Sequence, residues 1–224
     1  DRPDGRERVR LCERGRYSAT EQNSNIECDI CSEGKHQNDL YKNTCKSCPI
    51  GWISSSKEAV ICTACVKGTY VEGKEATQCK SCNIGLFSAQ KGEGGCKYCP
   101  SGFWQDVKSS SLCKDCPRGY YQHQTRRTSC IFCEPGLYLD TVKNNAKADC
   151  KACPRGRYST VTARITYQDC KLCSSGKYGP TEKSDSSNNC FDCEAGKFNT
   201  EFGCPTGNPG AVVYPDDSIH TCVH

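Results

Sequence analysis

Residues 48–65 read CPIGWISSSKEAVICTAC, and residues 116–133 read CPRGYYQHQTRRTSCIFC. Both begin with a cysteine, place glycine three residues on (Gly51, Gly119), run through a polar stretch and close on a Cys-x-x-Cys pair. Outward from these stretches the pattern continues in both directions. After Cys12 come ten Cys-x-x-Cys pairs: 28/31, 45/48, 62/65, 79/82, 96/99, 113/116, 130/133, 150/153, 170/173 and 190/193. Successive pairs step by 17 residues six times and then by 20 residues three times. A fixed short period marks a quasi-one-dimensional array, in which each repeat is expected to touch only its neighbours.

Glycine and an aromatic keep the same phase. Glycine stands at Gly15, Gly34, Gly51, Gly68, Gly85, Gly102, Gly119, Gly136, Gly156, Gly176 and Gly196, where it suits a positive-φ turn directly after the cysteine. Two residues later stands Tyr17, Tyr70, Phe87, Trp104, Tyr121, Tyr138, Tyr158, Tyr178 or Phe198, with His36 and Ile53 as the exceptions. A ring at that place can cover a disulfide. The polar stretches, such as Ser54-Ser55-Ser56 and Ser109-Ser110-Ser111, read as exposed and uniformly polar hairpin tips, and the three extra residues of the later repeats fall within them. No helical periodicity is present.

The composition of the 224 residues demands cross-links. Leu, Ile, Val and Phe number 32, about 14% of the chain, whereas Cys numbers 23. So little apolar surface cannot offset chain entropy, and a tenth of the residues being cysteine points to an oxidising, secreted context. Translation symmetry favours bonding each cysteine to the next: Cys12–Cys28, Cys31–Cys45, Cys48–Cys62, Cys65–Cys79, Cys82–Cys96, Cys99–Cys113, Cys116–Cys130, Cys133–Cys150, Cys153–Cys170 and Cys173–Cys190. Each such bond closes a loop of about 15 residues, worth about 3 kcal/mol on the chain-entropy model. An interlocked scheme, first to first and second to second, stays open beside it, although it would double the period. Cys193, Cys204 and Cys222 are left over, so one is odd and is expected to bond another chain or to remain a thiol.

The expected architecture is a small disulfide-rich fold: an elongated, solenoid-like ladder of single-disulfide β-hairpins with little regular secondary structure and no helix. Its divisions are a lead at 1–11, about ten repeats over 12–193, and an atypical unit at 194–224, where Asn208-Pro209-Gly210 and an apolar Ala211–Tyr214 patch break the pattern.

The stretches Cys48-Pro49-Ile50-Gly51-Trp52 through Cys62 and Cys116-Pro117-Arg118-Gly119-Tyr120-Tyr121 through Cys130 resemble the short cysteine-rich repeat of ephrin-receptor-like domains. They equally resemble the first small module of tumour necrosis factor receptor domains. The resemblance covers about residues 12–198. Those receptors alternate this module with a second, interlocked one, whereas here the simple module repeats unbroken; the resemblance therefore implies a stalk or spacer in an extracellular protein.

Competing chemistries fare worse. Cys-x2-Cys-x13-Cys-x2-Cys approaches zinc-ribbon spacing, but ribbons use discrete knuckles, and the histidines are only His36, His123, His220 and His224. No nucleophile stands with a base in a motif, so no catalytic residue, cofactor or metal is expected. Basic and acidic residues nearly balance, 30 against 26, and the arginines of the lead alternate with carboxylates, which argues against nucleic acid. No apolar run reaches the roughly 18 residues of a membrane span. Six links carry lysine after the first cysteine (Lys46, Lys80, Lys97, Lys114, Lys151, Lys171); this stripe reads as a solvated edge that guards the strands, with an acidic polysaccharide as the alternative ligand. The expected function is a secreted, extracellular structural stalk or filament subunit whose partners are other protein chains, in self-assembly or a larger complex. The alternative is a receptor or adhesion ectodomain, which should betray itself by apolar side chains on particular tips.

Overall fold

A computed structural model describes residues 12–18, 27–174 and 176–193, and beyond them only the backbone of short strands at Phe198–Asn199, Val212–Val213, Ile219–His220 and Cys222–Val223. The chain packs as two compact units, Asp1–Tyr98 with Gln105–Cys113, and Cys99–Trp104 with Lys114–His224. Both are built from one repeated hairpin.

Each repeat starts at a buried opening cysteine, here position zero. A tight turn follows, in which the +4 amide donates to the +1 carbonyl, as Thr69 does to Val66 (3.0 Å) and Tyr120 to Pro117 (3.1 Å). The +3 glycine takes φ between 75° and 84° in every repeat, the value a type II turn requires at its third residue. Residues +4 and +5 then pair antiparallel with the two residues of the next Cys-x-x-Cys link; Thr69–Tyr70, for example, pairs with Lys80–Ser81. The strands are two residues long because the link supplies only two residues between cysteines. A disulfide closes the base of each hairpin, Cα to Cα 5.6–6.0 Å, with sequence separations of 14 to 17. Cys99 and Cys113 are likewise disulfide-bonded.

No α-helix occurs among the described residues. The three extra residues of the later repeats form a single 3-10 turn directly before the closing cysteine, at Lys147–Asp149, Tyr167–Asp169 and Ser187–Asn189. In two of them an aspartate organises the turn: Asp149 Oδ2 accepts the amides of Asn145 (3.1 Å) and Ala146 (2.9 Å), and Asp169 Oδ2 those of Ile165 (3.1 Å) and Thr166 (2.9 Å).

Backbone hydrogen bonds, most often three, join a repeat to the next. In the first unit, Gly68 donates to Ser88 (2.9 Å), Val71 to Glu93 (3.3 Å), and Gly92 back to Cys65 (2.8 Å). In the second, Gly119 donates to Leu139 (2.9 Å), Gln122 to Asn144 (3.0 Å), and Lys143 back to Cys116 (3.0 Å). The tip residue in the third bond, at +10, is left-handed throughout: Tyr41, Glu58, Glu75, Gly92, Ser109, Arg126, Lys143, Ala163 and Lys183 have φ between 56° and 74°. Its carbonyl lies against the +3 glycine of the repeat two places earlier, as Ser109 lies on Gly68 and Lys143 on Gly102, so that a Cβ on the glycine would overlap it. Contact therefore spans two repeats, which corrects the nearest-neighbour expectation. Main-chain reach, invisible in side-chain pattern, is the reason.

Within each repeat the core is a buried sulfur with a second buried position beside it. All ten opening cysteines are at most 4% exposed. Position +6 is buried as well, by Gln37, Ser54, Val71, Ser88, Gln105, Gln122, Leu139 and Ser159. The buried polar members are satisfied inside their own tip. Gln105 donates to the Leu112 carbonyl (2.7 Å) and accepts the Val107 amide (3.0 Å); Gln37 and Gln122 make the same pair of bonds. Ser54, Ser88 and Ser159 each donate to the carbonyl two residues on.

Candidate functional site

The +5 side chain, in the middle of each hairpin, is positioned by the turn before it and the disulfide of the following repeat. Tyr121 packs into an apolar cluster with Cys133, Leu137 and Leu139, flanked by Cys150 and Ala152, so the ring lies on the Cys133–Cys150 bond. At His36 an imidazole occupies this slot, with Nδ1 3.1 Å from Cys62 Sγ. The ligand atoms of His36, Cys48 and Cys62 lie within 4.8 Å of one another. The two sulfurs are bonded to each other, however, and a disulfide lacks the thiolate charge that holds zinc. Of the other histidines, His123 stacks loosely near Tyr121 at 6.1 Å, while the side chains of His220 and His224 lie outside the described residues.

The link lysines sit directly across the strand from the +5 column, for example Trp104↔Lys114 and Tyr138↔Lys151. Their ammonium groups cover ring faces, Lys114 4.6 Å from the Trp104 centroid and Lys151 6.0 Å from that of Tyr138, which is cation–π geometry. Several are also ion-paired within their own tip: Lys46 to Asp39 (2.8 Å), Lys97 to Glu93 (3.3 Å) and Lys151 to Asp140 (2.8 Å). The hydrogen bond from Lys151 holds the Asp140 carboxyl below its ordinary pKa, and that from Lys46 does the same for Asp39. Four of the six stripe lysines, Lys46, Lys97, Lys114 and Lys151, are thus engaged locally.

The tips are not uniformly polar, which corrects the expectation: Leu40, Tyr41, Val60, Ile61, Val107 and Leu112 are apolar and exposed. Four links lack the lysine, and in one of them Ile131 and Phe132 are 36% and 50% exposed, with Phe132 directly opposite Tyr120. A cleft lined by Tyr17, Ile30, Ser32, Lys35, Thr44 and Cys45 carries neither a carboxylate nor an imidazole. Among the described residues Cys193 has no disulfide partner; Cys204 and the side chain of Cys222 lie outside them, as do the 1–11 lead and most of 194–224.

Sequence reasoning located the cysteine, glycine and +5 columns. It missed the buried +6 column, whose signal was the recurrence of glutamine or serine directly after the aromatic, and the left-handed +10 residue, where side-chain identity carries almost no signal.

Two adjacent stretches, 68–111 and 107–150, match the family model described as tyrosine-protein kinase ephrin type A/B receptor-like. No curated protein matches the chain. The repeats are disulfide-rich modules of an extracellular type.

Proposed function

We propose that this chain is a stiff, non-catalytic spacer of an extracellular protein or assembly, acting through its length and its lateral contacts with other protein chains. The observation that carries the reading is the backbone lattice: each tip is bonded to the preceding repeat and seated on the glycine of the one before that, so bending a unit at any point breaks main-chain hydrogen bonds and disulfide-anchored contacts together. Side chains are spent on sealing sulfur rather than on shaping a concave site. The test is a distance distribution within the first unit. Nitroxides on ketone-bearing unnatural residues at the exposed tip lysines Lys57 and Lys108 should give one narrow pulsed-EPR peak, unchanged by viscosity or temperature. A broad or multiple distribution would remove the spacer reading.

The exposed Ile131–Phe132 pair with Tyr120 supports a second reading, a ligand-binding ectodomain in which this hairpin is the anchor. That reading requires a soluble extracellular protein whose capture is lost with Phe132→Ser while the distance distribution stays narrow.

A further inference from the structure

Arg126 and Arg127 are the only adjacent pair of lysine or arginine residues in the sequence, and they stand in a hairpin tip, 123–129, of which every residue is exposed. We propose that the Arg127–Thr128 peptide bond is a processing site for a serine endoprotease of paired-basic specificity, which converts the protein into two chains held together by the Cys116–Cys130 disulfide. The inference goes beyond the spacer reading and leaves it standing, because the cut opens one tip and keeps every disulfide in place.

Two observations single out this tip. The first is charge. Between the +6 residue and the closing cysteine, every other repeat carries at least one carboxylate, Asp39, Glu58, Glu75, Glu93, Asp106 and Asp140 among them. The stretch His123-Gln124-Thr125-Arg126-Arg127-Thr128-Ser129 carries none. In the 55–61 and 72–78 tips the acid directly follows the base, as Lys57-Glu58 and Lys74-Glu75. A protease that reads basic side chains does so with carboxylates in its own pockets, and an acid beside the scissile bond repels them. The 123–129 tip presents such pockets with two cations and no opposing charge.

The second observation is the backbone. Neither a proline nor a 3-10 turn interrupts 123–129, and exposed loop tips are where proteolytic nicking concentrates. The base of the tip is stapled by Gln122, which donates to the Ser129 carbonyl (2.8 Å) and accepts the Gln124 amide (3.0 Å). Higher up, the Arg126 amide donates to the Cys99 carbonyl (2.8 Å) while Arg126 itself holds φ 60°. A protease binds its substrate extended, so that hydrogen bond opens and the left-handed residue straightens before cleavage. Cutting therefore tracks the open fraction of this one tip. In the step, water adds to the Arg127 carbonyl carbon and the bond to the Thr128 nitrogen breaks, leaving a carboxylate on Arg127 and an ammonium on Thr128. Cys116 and Cys130 lie on opposite sides of the cut and stay bonded, so neither piece is released.

The experiment treats the full oxidised chain with a subtilisin-like endoprotease of paired-basic specificity, and in parallel with limiting trypsin, and maps the cuts by mass spectrometry before and after reduction. The paired-basic enzyme is expected to cut after Arg127, giving one species without reductant and the pieces 1–127 and 128–224 with it. Among the repeat tips, trypsin is expected to open this one first. Arg127→Gln should abolish cutting by the paired-basic enzyme. Thr128→Glu, which keeps both arginines and installs the base–acid order of the 55–61 tip, should slow it at least tenfold. Gln122→Ala, which frees the base of the tip, should speed it severalfold. The proposal is overturned by a first tryptic cut in another tip, by a Thr128→Glu rate within twofold of the parent, or by a chain that resists the paired-basic enzyme. A resistant chain retained on heparin through Arg126 and Arg127 would make the tip a polyanion site instead.

Discussion

Gly68 lies against the main-chain carbonyl of Ser109, 41 residues further along the chain and two repeats away. One of the pair has φ 79° and the other φ 58°, so both occupy the left-handed region, but only Gly68 has no room for a Cβ. The two positions should therefore respond in opposite ways. Gly68→Ala places a methyl group on the Ser109 carbonyl in a conformation already unfavourable for an L-residue, and should destabilise the first unit by about 2–4 kcal/mol. Ser109→Gly removes the left-handed cost while loosening the unfolded chain, and should be neutral or stabilising by up to about 1 kcal/mol. Thermal unfolding with all disulfides intact measures both; equal losses at the two positions would mean that the cross-repeat seat is not what selects glycine.

The buried glutamines should behave as staples. Gln37→Ala removes the partner of the Thr44 carbonyl and of the Asp39 amide, which now bond to the buried Gln37 side chain at 2.6 Å and 3.0 Å, and losing a part-buried hydrogen bond of this kind costs about 0.5–1.5 kcal/mol each. Gln37→Ser should cost less, since Ser54, Ser88 and Ser159 hold the same position with a single bond. The readout is proteolytic nicking of the 38–44 tip relative to the 55–61 tip. A tip as resistant in Gln37→Ala as in the parent would show that the disulfide alone orders it.

These two tests also mark where the sequence stopped being informative. Cysteine and glycine recur because each is the one residue type its place accepts, and a ring fills the +5 place in most repeats, so hairpin, turn and sulfur column were legible. Position +6 accepts Gln, Ser, Val or Leu, since either a long amide, a short hydroxyl or an apolar group fills it, so no one residue type marks the column. Position +10 accepts Tyr, Glu, Ser, Arg, Lys, Ala or Gly because only its amide and carbonyl are used. A pattern written in backbone groups leaves no residue signature, and for that reason contact across two repeats could not be foreseen. His36 was legible as an exception to the aromatic slot, but its approach to Cys62 depended on knowing that the slot faces forward.

The 3-10 turn at Tyr167–Asp169 should weaken in acid. Burial pushes the Asp169 carboxyl up, but the amides of Thr166 and Ile165, with the Thr166 side chain and Arg164 behind them, more than reverse this and leave it below its ordinary value. A carboxylate whose folded pKa is depressed contributes stability that is complete above the unfolded value of about 3.9 and is lost as pH falls through the folded one. The amide proton shifts of Ile165 and Thr166 should titrate together with an apparent pKa below 3.9, while those of Asn188 and Asn189, in the turn capped by the Ser186 hydroxyl, should not move. Asp169→Ala should cost about 1 kcal/mol, as for loss of a capping side chain, and Asp169→Asn less. Titration of the Asn188 amide in step with the others would place the effect elsewhere than in this carboxylate.

The last prediction concerns the odd cysteines. In every regular repeat the +6 residue stands opposite the closing cysteine, because +5 pairs with the residue just after it: His36↔Lys46 puts Gln37 opposite Cys45. The strand pairing Phe198↔Val223 and Asn199↔Cys222 keeps this register for a hairpin opened by Cys193, with Cys222 at the closing place and the Val212–Val213 and Ile219–His220 strands set into an enlarged tip. Cys193, unbonded among the described residues, is therefore expected to join Cys222 in the oxidised protein, with loss of two protons and two electrons to a disulfide oxidant of the secretory route, and Cys204 is the cysteine left for another chain. Digestion at Lys197 and before Asp192, Asp216 and Asp217 puts Cys193, Cys204 and Cys222 on three separate peptides. Under non-reducing conditions the peptide 192–197 should run linked to 217–224. A link from 192–197 to the Cys204 peptide instead would show that the terminal hairpin is closed by a short loop and that the strand register does not predict sulfur pairing there.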